Sequence, residues 1–310
     1  MLIPPPAPTT EAAASLPAHE DGAWTGRTVL VTGASRGIGA ALARTWLRRG
    51  AKVIAHCRAS TDREAADRET ANREAAKTCD SSRVRHLAKD LPGAERRLVG
   101  FNADAAVPGQ MGDAFRRVLQ DQPKIDAVLF NHGSTTFTTD GEAILMGPPS
   151  SFDGEQMRDL IQINALSVWE ALHELGRHWC RDELRQENAE RRRSIVLVSS
   201  SGALNPHIFD PTPYKTSKAM LLHFVRDLAS ELARFQISIN AISPGMIDAG
   251  LAHLPCVEAM RESILEGIPM QRYGEPEELF EAVDLFLSGR APFSTGNNLT
   301  LNGGAYVISQ

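Results

Sequence analysis

From Arg27 onward, short β-branched apolar runs alternate with longer stretches in which apolar residues recur every three or four positions. The short runs are TVLVT (28–32), KVIAH (52–56), LVGFN (98–102), IDAVLF (125–130), SIVLVSS (194–200), ISINAIS (237–243) and NNLTLN (297–302). Helical spacing marks Ala40–Arg49, Gly109–Leu119, Gln156–Trp179 and Thr216–Arg234. Strands that are almost continuously apolar are buried on both faces, and a helix between them returns the chain for the next parallel strand. The pattern predicts an α/β fold: a single Rossmann-type domain, doubly wound, with a parallel sheet of about seven strands and helices on both faces. In such a fold ligands sit beyond the carboxyl ends of the strands.

Three polar stretches break the rhythm, at 60–97, 138–151 and 180–193. Their dense charge or Gly/Pro content predicts solvated surface, with an exposed helix in the first half of 60–97 and an irregular insertion in the second. Residues 1–24 are rich in proline and alanine and predict a mobile tail, which leaves 25–310 as the folded domain.

Composition narrows the function classes. With 310 residues, 42% of them hydrophobic, the chain can bury a full core. Its 33 basic against 38 acidic residues give a net charge of −5, so no basic field is expected to recruit nucleic acid or a membrane surface. Cys57, Cys79, Cys180 and Cys256 are widely spaced, which argues against a metal site or a disulfide framework. The N-terminus has no basic start and no long apolar run, so a soluble cytoplasmic protein is expected.

Candidate chemistry concentrates in two places. In VLVTGASRGIGAALA a strand runs into Gly33, Gly37 and Gly39 and then into a helix. Glycines there let a pyrophosphate approach the backbone and rest on the free N–H groups of the helix start. In PTPYKTSKAM, Tyr214 and Lys218 stand four positions apart, on one face of a predicted helix. A free tyrosine titrates near pH 10, and an ammonium one turn away favours its phenolate.

Taken in order, TGASRGIG (32–39), NHG (131–133), Asn164, Ser200, YKTSK (214–218) and SPG (243–245) resemble the short-chain dehydrogenase/reductase family, over roughly residues 25–307. The resemblance implies that Tyr214 exchanges a proton with the substrate oxygen and that Lys218 also holds the nicotinamide ribose. It implies that Ser200 hydrogen-bonds the same oxygen, with Ser201 as the neighbouring register. Asn164 is expected at a helix kink whose freed carbonyl holds a water in the proton path. Cofactor contacts are implied for Gly33, Ser35, Arg36, Gly37, Ile38 and Gly39 in the turn, and for Arg58, Asp104, Asn131 and Gly133. Tyr214, Lys218, Pro244, Gly245 and Ile247 complete that set.

Cofactor choice follows from β-strand ends. Relatives that prefer NAD place an acid where this chain has Cys57, whereas Arg58 and Arg36 suit the 2′-phosphate of NADP(H). HCRAS (56–60) also resembles a stretch of NADPH-using relatives that include pteridine reductases. The chain departs from the family pattern at Phe130 and His132 in FNHG, at Ala249 where threonine is frequent, and at Asn302 where aspartate is usual. Loops 134–153, 202–213 and 246–272 are expected to choose the substrate, with His207, Phe209 and Met246 near the mouth and an apolar lid after Gly245.

The expected activity is NADPH-dependent reduction of a ketone, 3-oxoacyl reductase-like, on a small-molecule carbonyl or alcohol. An NADP-linked alcohol dehydrogenase or a pteridine-type reductase is the alternative within the class, and a silent NADP-binding sensor or scaffold the alternative outside it. By resemblance, helices 154–179 and 214–234 are expected to form the interfaces of a homodimer or homotetramer, with Trp169, Leu172 and Phe224 contributing.

Overall fold

The computed structural model describes residues 24–58, 84–135, 151–204 and 211–305. Every predicted strand forms: β1 (Thr28–Val31), β2 (Lys52–Cys57), β3 (Leu98–Asn102), β4 (Ala127–Phe130), β5 (Ser194–Val198), β6 (Ser238–Pro244) and β7 (Asn298–Leu301). They make one sheet in the order β3-β2-β1-β4-β5-β6-β7, with every neighbouring pair parallel. The order reverses between β1 and β4, which opens a crevice at the carboxyl ends of those strands.

Alternate strand residues enter two different cores, as the period of two requires. Val29, Val31, Val53, Ala55, Leu129 and Val196 face α1 (Gly37–Arg48) and the late helix Pro276–Leu287. Leu30, Ile54, Val128, Phe130, Ile195 and Leu197 face α2 (Gln110–Asp121) and the long helices after β4 and β5.

The predicted helix Gln156–Trp179 is in three parts: α3 (Gly154–Ile161), a π-helical turn over Gln162–Leu166, and α4 (Ser167–Trp179). Asp153 caps α3 by accepting from the backbone of Glu155 and Gln156. After α4 the chain forms the short α5 (Arg185–Arg191), and after β5 the helix α6 (Thr212–Ala233). α6 starts four residues before the predicted Thr216, because Pro213 fits the first turn, where its missing N–H is not needed. Beyond β6 lie α7 (Pro255–Glu258), α8 (Arg261–Glu266) and α9 (Pro276–Leu287).

Three surface expectations need correction. The tail drawn as 1–24 ends too late, since Trp24 is fully buried and donates from Nε1 to Asp284 at 2.8 Å. Within 60–97, the side chains of Val84, Leu87, Ala88 and Ala94 are buried against α1, so this half of the stretch covers core. Within 180–193, Asn188 and Arg193 are buried and bonded to each other, and Arg191 pairs with the buried Asp126. Residues 59–83 and 136–150 lie outside the described residues. Among the described residues, no helix is long and apolar enough to cross a membrane.

Candidate active site

The carboxyl ends of β1 to β6 open onto one cleft of about 680 Å³. Its floor is the turn between β1 and α1. Gly33 adopts φ +68°, and a Cβ there would lie 2.8 Å from the backbone of His132. A Cβ on Gly39 would collide with the carbonyl oxygen of Gly33 and the amide of Asn131. The chain thus needs bare backbone at the start of α1, where unpaired N–H groups suit a phosphate. Ser35, Arg36, Gly37 and Ile38 line the same floor, and Arg36 is exposed at its rim.

At the end of β2, the Cys57 side chain turns into the core and donates from Sγ to Asn102 at 2.7 Å. Arg58 faces the cleft, and its Nε donates to Asp104 at 3.3 Å. Asp104 is buried and also accepts from the backbone of Ala106 at 3.0 Å. Among the described residues, this end of the cleft therefore brings together the guanidiniums of Arg36 and Arg58 and the buried carboxylate of Asp104.

Between these walls lies a buried polar chain. His56 Nδ1 accepts from the Gly33 backbone at 3.1 Å, so its proton sits on Nε2, which donates to the carbonyl of Ala103 at 3.1 Å. Burial pushes His56 down to about pKa 4, which keeps this neutral tautomer in place. His132 is held well below the usual imidazole range, first by burial and then by His56 and the Lys218 ammonium. Asn131 closes the floor by donating from its backbone to Thr32 Oγ1 at 2.9 Å and from its side chain to the Gly33 carbonyl at 3.4 Å.

The opposite wall comes from β5 and α6. Lys218 is buried, its Nζ donates to the Val198 carbonyl at 2.9 Å, and desolvation lowers its pKa to about 8. Tyr214 is half-buried one turn earlier and lines the cleft with it. Three serines follow β5. Ser199 is committed to the fold, donating to the Lys218 carbonyl at 2.8 Å. Ser200 accepts from the Gly202 backbone at 3.1 Å, which orients its oxygen and leaves its hydroxyl hydrogen for a cleft ligand. Ser201 lines the cleft beside it.

Asn164 occupies the centre of the π turn and is fully buried. Its Oδ1 accepts from the Ser134 backbone at 2.8 Å, and its Nδ2 donates to the Ser134 carbonyl and to Ser217 Oγ, each at 2.9 Å. A Cβ on Gly133 would lie 3.0 Å from both Asn164 Oδ1 and Lys218 Nζ, so these two groups flank one bare backbone unit. The kink expected at Asn164 is thus an extra residue in the helix, a device that recurs at functional sites.

Pro244, Gly245, Met246 and Ile247 lead out of β6 along the cleft. Gly245 packs on Asn302, and Ile247 pairs with Gly274 in a short parallel bridge. The segment beyond is helical, with its own small core of Ala252, Val257, Ile264, Ile268 and Tyr273. It presents Leu251, Leu254, Val257, Met260 and Ile264 to the cleft, so the loop expected to be apolar does turn apolar side chains to it. His207 and Phe209 lie outside the described residues. Among the described residues no group of three metal-ligating side chains occurs.

The sequence reading missed Thr32, His56, Ser134, Ser167 and Ser217 as site residues; they hold the backbone and side chains around the cleft, and His56 and Ser134 also line it. His56 left a signal: it stands at an inward position of a strand buried on both faces, where a polar ring must find partners.

A parallel sheet whose strand ends meet a glycine-floored cleft, with serine, tyrosine and lysine on the facing wall, defines a Rossmann-type dinucleotide-binding protein. A family model described as enoyl-(acyl carrier protein) reductase matches residues 33–306. The chain is 27% identical to 3-oxoacyl-[acyl-carrier-protein] reductase FabG of Escherichia coli over 283 residues, covering 91% of this chain and 98% of that protein. It is 26% identical to oxidoreductase UcpA of the same species over 294 residues, 92% and 96% of the two chains. In fold it is similar to a 3-oxoacyl (acyl-carrier-protein) reductase from Agrobacterium tumefaciens solved with NADP bound, at TM-score 0.70 and 22% identity over 90% of this chain and 94% of that one. The chain belongs to the short-chain dehydrogenase/reductase family. It is an NAD(P)-dependent oxidoreductase.

Proposed function

We propose that the protein is an NADPH-dependent carbonyl reductase of the 3-oxoacyl reductase type, in which Tyr214 supplies the proton to the substrate oxygen. The observation that carries this reading is the convergence of Ser200, Tyr214 and Lys218 on the cleft whose far end holds Arg36 and Arg58. Bound NADPH supplies the hydride. Tyr214 gives its proton to the ketone oxygen as negative charge develops there, and the Lys218 ammonium one turn away stabilises the phenolate left behind. Ser200, already oriented by Gly202, donates to the same oxygen and fixes the carbonyl for attack. Asn164 holds the π turn against Ser134 and Ser217, next to Lys218.

The glycine floor from Gly33 to Gly39 suits the pyrophosphate, Asp104 the adenine, and Asn131, Gly133, Pro244, Gly245 and Ile247 the ribose and nicotinamide end. Arg58 and Arg36 suit a 2′-phosphate, and Cys57, turned inward onto Asn102, offers no acid to a free 2′-hydroxyl. The NADP-bound relative supports the same preference. Apolar Met246, Leu254, Val257 and Met260 on the lid suit a ketone with hydrocarbon surface.

A homo-oligomer completes the reading. Trp169 is 44% exposed and packs on Phe224 with ring centroids 5.4 Å apart, beside a groove lined by Leu172, Gly176, Leu228 and Phe235. Apolar surface of this kind on α4 and α6 favours a second copy, and light scattering is expected to give a multiple of 33.7 kDa.

The test is a titration of NADPH against NADH by nicotinamide fluorescence, followed by turnover of 3-oxoacyl and enoyl thioesters. Tighter NADPH binding with reduction of the keto compound is expected. NADH preference, or reduction of the enoyl compound alone, would replace this reading.

A further inference from the structure

His132 replaces the small residue that the family motif carries between Asn131 and Gly133, and its ring is fully engaged. Nδ1 lies 2.8 Å from Thr32 Oγ1, and Nε2 lies 2.8 Å from Ser167 Oγ. The direction of each bond is fixed by what lies beyond. Ser167 donates its one hydroxyl hydrogen to the Ile163 carbonyl at 2.7 Å, so Ser167 Oγ accepts from His132 Nε2–H. Nδ1 is then the acceptor, and Thr32 donates to it at 2.8 Å in preference to the Leu129 carbonyl, which lies farther off at 3.3 Å. Thr32 Oγ1 in turn accepts from the backbone of Asn131 at 2.9 Å and of His132 at 3.2 Å.

The two ends of this chain are the two halves of the site. Thr32 immediately precedes Gly33, whose bare backbone rests on His132. Ile163 lies in the π turn and Ser167 directly follows it; between them Asn164 bonds Ser217, and Ser217 donates to the Tyr214 carbonyl at 2.7 Å. An alanine at position 132 would leave the glycine turn and the π turn without this link.

We propose that His132 is a positioning residue that holds the π turn, and through it Tyr214 and Lys218, in register with the cofactor's glycine turn. The inference rests on the hydride-transfer reading given above. Its effect belongs in the chemical step: a displacement of the proton donor by a fraction of an ångström to 1 Å lowers kcat by about 10- to 100-fold while cofactor affinity is largely kept.

The experiment measures kcat, the KM for a 3-oxoacyl thioester, the Kd for NADPH and the melting temperature for the full-length wild type and for His132→Ala, Ser167→Ala, the double variant and Tyr214→Phe. His132→Ala and Ser167→Ala should each lose kcat about 10-fold or more with NADPH Kd within about threefold of wild type, and the double variant should be no worse than the poorer single. Ser167→Ala keeps the imidazole and so tests the link if His132→Ala does not fold. Rates within about twofold of wild type for both single variants, or losses that multiply in the double variant, would overturn the link. A Tyr214→Phe protein with wild-type kcat would instead overturn the reading on which it rests.

Discussion

The backbone N–H of Gly33 donates to Nδ1 of His56 at 3.1 Å, so the first glycine of the cofactor turn is held by a ring that must stay neutral. An unfolded histidine binds its proton near pH 6.5, whereas burial holds His56 near 4. Between those values the unfolded chain carries more protons, so stability is complete above pH 6.5 and falls as the pH drops toward 4. The His56 contribution is about 3 kcal/mol, and His132 adds to it in the same direction. Urea unfolding across this range should show the loss, and His56→Asn, whose amide oxygen can accept from Gly33, should reduce it to the share that His132 contributes.

Lys218 carries its charge under strain of desolvation, with a pKa lowered to about 8. In the free enzyme its ammonium is lost as the pH rises through that value, and with it the support for a Tyr214 phenolate. The profile of kcat/KM for ketone reduction should therefore descend above about pH 8. Lys218→Met should lower kcat/KM by about 100-fold or more and remove that limb. Folding moves the opposite way: the unfolded lysine stays protonated to 10.5, so the stability cost of the buried charge is relieved between about 8 and 10.5.

Arg58 is 59% exposed along its side chain, so its contact with Asp104 is screened and worth under about 1 kcal/mol. That contact alone opposes a turn toward a 2′-phosphate only weakly. Losing a charge-assisted hydrogen bond of about 1.5 to 3 kcal/mol means that Arg58→Ala should weaken NADPH binding roughly 10- to 150-fold and leave NADH nearly unchanged. Fluorescence titration of both cofactors checks this, and equal losses would move Arg58 away from the phosphate.

The strands were legible because their apolar runs are short, β-branched and buried on both faces; all seven lie within two residues of the predicted bounds. The glycine turn was legible for the same kind of reason, since only bare backbone fits between Gly33, Gly39 and Asn131. At Asn164 the resemblance placed a kink, but its π-helical form was hidden, because apolar spacing through Leu160, Ala165 and Val168 continues across it. Val84, Leu87 and Ala94 were hidden because they are scattered among charged residues, with no run or period to mark them as core. Trp24 sat at the end of a proline-rich tail, and its partners Trp46 and Asp284 are distant in the chain, Asp284 by 260 residues. His132 was visible as a departure from the motif, but its partners Thr32 and Ser167 come from separate elements that only the fold brings together.

The central claim is that Tyr214 protonates a ketone oxygen while NADPH reduces the carbon. Single-turnover reduction of a 3-oxoacyl thioester by NADPH-loaded Tyr214→Phe, set against wild type, tests it most directly. The account predicts a rate lower by about 100- to 10,000-fold, with NADPH affinity retained. A folded Tyr214→Phe protein that binds NADPH and reduces the substrate at the wild-type rate would contradict it.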